Sequence, residues 1–128
     1  MSSMYDTGLI ADIFDNVDWS FAQIAKRLEG IESSEDLVKD DIGLGKLDSI
    51  CMQLINIGEA LKHVDKLTDG KLLATYPGID WKKAMGVRDI IAHHYFDIDH
   101  ETVYFVCKEH VPEMKEAIKK VLDNLKRR

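Results

Sequence analysis

Apolar residues recur at spacings of three and four through most of this chain, and that period admits helices and little else. Leu9, Ile10, Ile13, Phe14, Val17, Phe21, Ile24 and Leu28 form one stripe. It predicts a helix from about Asp6 to Leu28, with Gly30 as its stop. Leu47, Ile50, Cys51, Leu54, Gly58, Leu61 and Val64 form a second stripe, predicting a helix from about Gly45 to Lys66. A glycine inside a helix costs about 1 kcal/mol relative to alanine. Gly58 is therefore expected to admit a second helix close by, near Glu59. Val111, Met114, Ala117, Ile118, Val121, Leu122 and Leu125 form a third stripe. Pro112 suits its first turn, and Lys126-Arg127-Arg128 suits its C-terminal end. The polar connection at 32–39 reads as a loop with one helical turn capped by Ser34. A short turn is expected over Lys71–Tyr76, another turn at Asp97-Ile98-Asp99, and a short helix near His100–Lys108 capped by Asp99. No repeat and no convincing strand alternation interrupts this pattern. The expectation is an all-α, up-and-down bundle of four to five helices, with residues 1–128 as a single domain.

Composition narrows the class. The net charge is −6 at pH 7, with 45% hydrophobic and 31% charged residues, as in ordinary globular domains. No apolar run approaches the roughly 20 residues that span a bilayer. The start, Met1-Ser-Ser-Met-Tyr-Asp6, has neither a basic nor an apolar signal region, so a cytoplasmic protein that does not enter membranes is expected. The chain has 2 cysteines, Cys51 and Cys107, without metal spacing, which read as buried reduced thiols. An acidic body is awkward for a nucleic-acid enzyme. An RNA site here would have to be a local positive groove, or else the acidic surface serves a basic protein partner.

The polar cluster lies in Trp81–Phe96, after the breaker Pro77-Gly78, with Asp80 as N-cap. Read as one helix, Met85, Ile91 and Ala92 face a core. Arg88, Ala92 and Tyr95 then share a stripe, and Asp89 and His93 form an i,i+4 pair. Arg88 and His93 would lie about 140° apart around the helix and about 7.5 Å along it. A long arginine could swing towards the histidine, or a second copy of the helix could supply the partner.

Arg88, four residues, His93, one residue, Tyr95 resembles the R-x4-H-x-Y motif of HEPN-domain toxins of the HepT family, formerly DUF86. Ile57-Gly58-Glu59-Ala60 resembles the family's I-G-E-A, and Pro77, Ile79 and Trp81 its P-x-I-x-W lead-in. Gly86-Val87-Arg88 stands where the family usually has G-M-R, and Phe96-Asp97-Ile98-Asp99 resembles the segment that follows. The likeness covers roughly residues 5–125.

The resemblance implies the toxin of a type VII toxin–antitoxin pair: a homodimeric, metal-independent endoribonuclease acting on tRNA or mRNA. Its partner would be a minimal nucleotidyltransferase antitoxin of the MntA type. Arg88 would hold the phosphate, since a guanidinium offers two parallel hydrogen bonds and a fixed charge. His93 would move the proton, because imidazole titrates near neutrality, and Asp89 would orient it. His94 is the rival, as the wider pattern tolerates four to six intervening residues, but only His93 keeps the spacing to Tyr95. Tyr95 is where the resemblance places inhibitory AMPylation. Glu59, Asn56 and His94 are expected as groove-lining residues. His63, His100 and His110 read as surface residues. No H-E-x-x-H or glycine-rich phosphate loop occurs, so no metal and no cofactor are expected. The alternative is a non-catalytic helical module that pairs with a nucleotidyltransferase.

Overall fold

The computed structural model describes residues 5–94 and 97–127, with 92–94 as backbone alone. The first helix, α1, spans Thr7–Leu28 and starts where the Asp6 carboxylate accepts from the Leu9 N–H at 3.0 Å. Ile10, Phe14, Val17, Phe21 and Ile24 bury its inner face. Leu9 does not join them and is 43% exposed. Gly30 follows the C-cap with φ +80°, the left-handed stop that the sequence predicted. Lys46 closes this end by donating to the Glu29 carbonyl at 2.7 Å.

The helical turn in the connection is a 3-10 segment, Ser34–Leu37. Its N-cap is Ser33 rather than Ser34, with no side-chain capping bond, and Leu37 anchors it in the core. Helix α2 runs Asp41–Leu67, starting four residues before the expected Gly45. The reason is Asp40, whose carboxylate accepts from the Gly43 N–H at 2.7 Å. Gly43 itself is required there, because a Cβ would collide with the Asp36 carbonyl oxygen. Arg27 bonds Ser49 across the two helices, while Phe21 faces Leu54 and Ile57 in a common cavity. The helices therefore run antiparallel.

The short helix α3, Lys71–Ala74, follows the turn at Asp69-Gly70, where both residues have positive φ. Trp81 is buried and its indole N–H donates to the Tyr76 carbonyl at 2.8 Å. The Tyr76 hydroxyl accepts from Asn124 at 2.7 Å.

The expected single helix over Trp81–Phe96 is absent. It is divided into α4, Trp81–Met85, and α5, Val87–Ile91, and then gives way to extended chain. Strand β1, Ala92–His94, pairs antiparallel with β2, Asp97–Ile98, bringing Ala92 opposite Ile98 and His94 opposite Asp97. The Asp99 N–H donates to the Ile91 carbonyl at 2.8 Å and clamps the base of the hairpin. Local propensity explains the outcome. Gly86 weakens the helix, and the run Ile90-Ile91-Ala92-His93-His94-Tyr95-Phe96 is mostly β-branched or aromatic, which a paired strand accommodates better.

Asp99 caps α6, His100–Phe105, through the Thr102 N–H at 3.0 Å. The expected break before the last helix does not occur. A π-helical turn, Val106–His110, carries α6 straight into α7, Val111–Lys126, with right-handed helical backbone at both junctions. Pro112 has no N–H and its ring crowds the carbonyl four residues back. The widened π-turn just before it relieves that conflict. Lys126 reaches Asp15 at 3.6 Å, while Met114 and Phe21 line one cavity, so α7 runs antiparallel to α1. The all-α bundle thus stands, with one small hairpin inserted. Among the described residues no helix is long and apolar enough to cross a membrane.

Candidate active site

Helix α5 presents the site. Val87 and Ile91 are buried one turn apart, and this turns Arg88 and Asp89 outward. Gly58 of α2 sits beneath. A Cβ there would lie 3.1 Å from the Ala84 carbonyl oxygen, 3.1 Å from Val87 Cγ1 and 3.3 Å from the Met85 carbonyl oxygen. The sequence expectation that Gly58 admits the motif segment is met, but what enters the notch is the backbone of the α4–α5 junction.

A small depression beside this notch is lined by Ile55, Glu59, Lys62, Met85, Val87 and Arg88. Glu59 is paired with Lys62 at 3.0 Å, both side chains more than half exposed. The Arg88 side chain pairs with neither Glu59 nor Asp89, and among the described residues it has no ion pair or side-chain hydrogen bond. Its charge is therefore open to an incoming anion, while the Lys62 ammonium in the same depression is held by Glu59. Glu59 takes its expected place at the groove. Asn56 is exposed on α2 but does not line the depression.

The helical geometry expected between Arg88, Asp89 and His93 is not formed. α5 ends at Ile91, so Asp89 and His93 are not an i,i+4 pair. The 140° offset lapses for the same reason. His93 and His94 lie on the backbone of β1, and their side chains are outside the described residues, as is Tyr95. The hairpin went unrecognised because Asp97-Ile98-Asp99 reads as a plain turn. The usable signal was the aromatic and β-branched composition before it.

Burial pushes the Cys51 thiol up to about 11 and the Cys107 thiol up to about 12. Both are free and buried, so neither is a nucleophile near neutral pH. Among the described residues, Glu35, His100 and Glu101 bring three ligand-type atoms within 4.8 Å of one another. Their local contact is a His100–Glu35 pair at 3.3 Å, and none of the three lines the Arg88 depression.

These features define the class: a small all-α domain with a close helix–helix notch and, beside it, an arginine that has no ion pair among the described residues. The model of the family described as "Ribonuclease HepT-like" matches residues 17–121. The chain belongs to this HepT-like family. It is similar to "Putative RNase MJ0125" of Methanocaldococcus jannaschii, 35% identical over 59% of this chain and 60% of that protein. It is also similar to "Putative RNase TTE0752" of Caldanaerobacter subterraneus subsp. tengcongensis, 28% identical over 80% of this chain and 85% of that one. A two-function relative, "Gamma-glutamylcyclotransferase and putative RNase MJ0434" of Methanocaldococcus jannaschii, is 32% identical over 77% of this chain and 45% of its own length. The chain spans about 60% of the first of these relatives. No solved structure matches it.

Proposed function

We propose that this chain is a metal-independent endoribonuclease, the toxin of a toxin–antitoxin pair, acting on tRNA or mRNA in the cytoplasm. The observation that carries the reading is the exposed Arg88, which has no ion pair among the described residues, on a body of net charge −6. A chain this acidic gains from keeping a free cation where a polyanion must bind. In the reaction, the RNA 2′-oxygen attacks its adjacent phosphorus and the bond to the 5′-oxygen breaks. The products are a 2′,3′-cyclic phosphate and a 5′-hydroxyl. Arg88 neutralises the charge that grows on the phosphoryl oxygens. His93 takes the 2′-proton or delivers one to the departing 5′-oxygen.

One histidine performs only one of these transfers at a time, so a homodimer that faces two sites across one groove supplies the second. Asp89 orients the His93 imidazole. A cognate minimal nucleotidyltransferase transfers AMP from ATP to the Tyr95 oxygen, with loss of the phenolic proton and release of pyrophosphate, and the added phosphate competes for Arg88. The test is to incubate purified, unmodified protein with total RNA, with and without EDTA, and to map the ends. Cleavage that persists in EDTA and leaves cyclic phosphates is expected. Intact RNA under both conditions would leave the second reading, a binding module for a nucleotidyltransferase, which the acidic charge favours.

A further inference from the structure

A cavity of about 420 Å³ lies between α4–α5 and the π-turn, within the range of about 300–1,000 Å³ typical of small-ligand sites. Phe21, Leu54 and Ile57 form its apolar floor, and Thr102, Phe105 and His110 stand on its wall. Phe105 is 50% exposed, and its ring centre is 5.3 Å from that of His110 at an interplanar angle of 55°. A half-exposed phenylalanine gains nothing from water. It gains from a flat partner laid against it.

A second depression of about 300 Å³ shares Asp80, Lys83 and Ile90 with this cavity and adds Lys82 and Gly86. Lys82 and Lys83 are exposed, and among the described residues neither side chain has an ion pair. The surface thus joins an apolar slot with an aromatic edge to two free ammonium groups. The ligand that matches is a planar ring joined to a phosphate, that is, a nucleotide. Val87 lines both this cavity and the Arg88 depression, and a helix with its side chains is only about 10–12 Å across. A strand whose phosphate rests on Arg88 can therefore place a neighbouring nucleotide here.

We propose that the cavity seats an unpaired base of an RNA strand, with Phe105 stacking on the base and Lys82 and Lys83 holding its phosphate. The choice of an RNA strand rests on the ribonuclease reading above. The π-turn places Phe105 and His110 on one rim, a role consistent with the frequent occurrence of such turns at functional sites.

The experiment uses a short, fully 2′-O-methylated oligonucleotide, which cannot cleave itself, with 2-aminopurine at an internal position. Saturable quenching is expected with the intact protein. Phe105→Ala should weaken binding roughly 5- to 150-fold, the usual loss of one base–aromatic stack. The double variant Lys82→Gln/Lys83→Gln, which frees one phosphate, should lower the slope of log K against log salt by about 0.7. All three positions are at the surface, and circular dichroism confirms that the variants are folded. Unchanged affinity in Phe105→Ala overturns the proposal. Binding of free AMP as tightly as the oligonucleotide overturns its assignment to a strand. Because the probe is never cleaved, the result stands apart from the ribonuclease reading. A protein that cleaves RNA yet ignores Phe105 sinks this inference alone. One that never cleaves but binds through Phe105 sinks only the catalytic reading.

Discussion

Substituting Gly58 with alanine sets two effects of opposite sign against each other. Alanine in a helix interior gains about 1 kcal/mol over glycine. At Gly58 the new methyl would meet the Ala84 carbonyl oxygen and Val87 Cγ1 at 3.1 Å and the Met85 carbonyl oxygen at 3.3 Å. Two of these three atoms are backbone, so relief requires shifting the α4–α5 junction as a body. Overpacking of this kind costs about 1–3 kcal/mol, which leaves a net loss of about 1 kcal/mol. Gly45 on the same helix supplies the control, since a Cβ there meets nothing within 4 Å. Gly45→Ala should therefore gain about 1 kcal/mol, and the two variants should differ by about 2 kcal/mol in urea unfolding. RNA cleavage should separate them further. The clash falls on the α4–α5 junction that leads into Arg88, and a displacement near 1 Å can cost about 10² in rate. If both variants are stabilised alike and Gly58→Ala keeps full activity, the close approach at this notch does not set the position of Arg88.

Arg88→Ala should lower cleavage by about 10²–10³, as loss of a preorganised donor does, while thermal stability stays within about 0.5 kcal/mol because the side chain is exposed and unpaired. His93→Ala should abolish cleavage and His94→Ala should be milder; the reverse order would reassign the motif histidine. Co-expression with the cognate nucleotidyltransferase should add mass in AMP steps to the wild type and none to Tyr95→Phe, and full neutralisation of Tyr95→Phe would point to steric blocking instead. The thiols predict an alkaline limit. Their folded values, about 11 for Cys51 and about 12 for Cys107, lie above the unfolded value of about 8.5. The unfolded chain therefore loses these protons first. Their contribution is complete below about pH 8.5 and is lost as pH rises towards 11 and 12. A thiol reagent that modifies either cysteine as fast in native protein as in urea would contradict their burial.

The long helices were legible because burial imposes its period on the sequence. Ile10, Phe14, Val17, Phe21 and Ile24 all reach the core where the stripe placed them. The caps Asp80 and Asp99 were legible for a local reason, since each carboxylate needs only a backbone N–H three residues on. The hairpin was not. Its pairing depends on a carbonyl at Ile91 meeting an N–H at Asp99, a contact between chain segments that no helical period encodes. The π-turn was hidden as well, since Pro112 reads equally well as a fresh helix start. In the site, the types of Arg88 and Glu59 announced themselves. That Glu59 is occupied by Lys62, leaving Arg88 free, depends on which neighbour each side chain meets in space.

The clamp between Ile91 and Asp99 changes what chain length means in this motif. Along a continuous helix, one inserted residue would swing everything after it by about 100°, and a histidine would leave its arginine at once. Between two fastened ends, an added residue changes the pairing inside the hairpin but leaves the chain before Ile91 and after Asp99 in place. For the rest of the fold, a one-residue insertion inside this clamp is therefore a gentler event than the same insertion into α2.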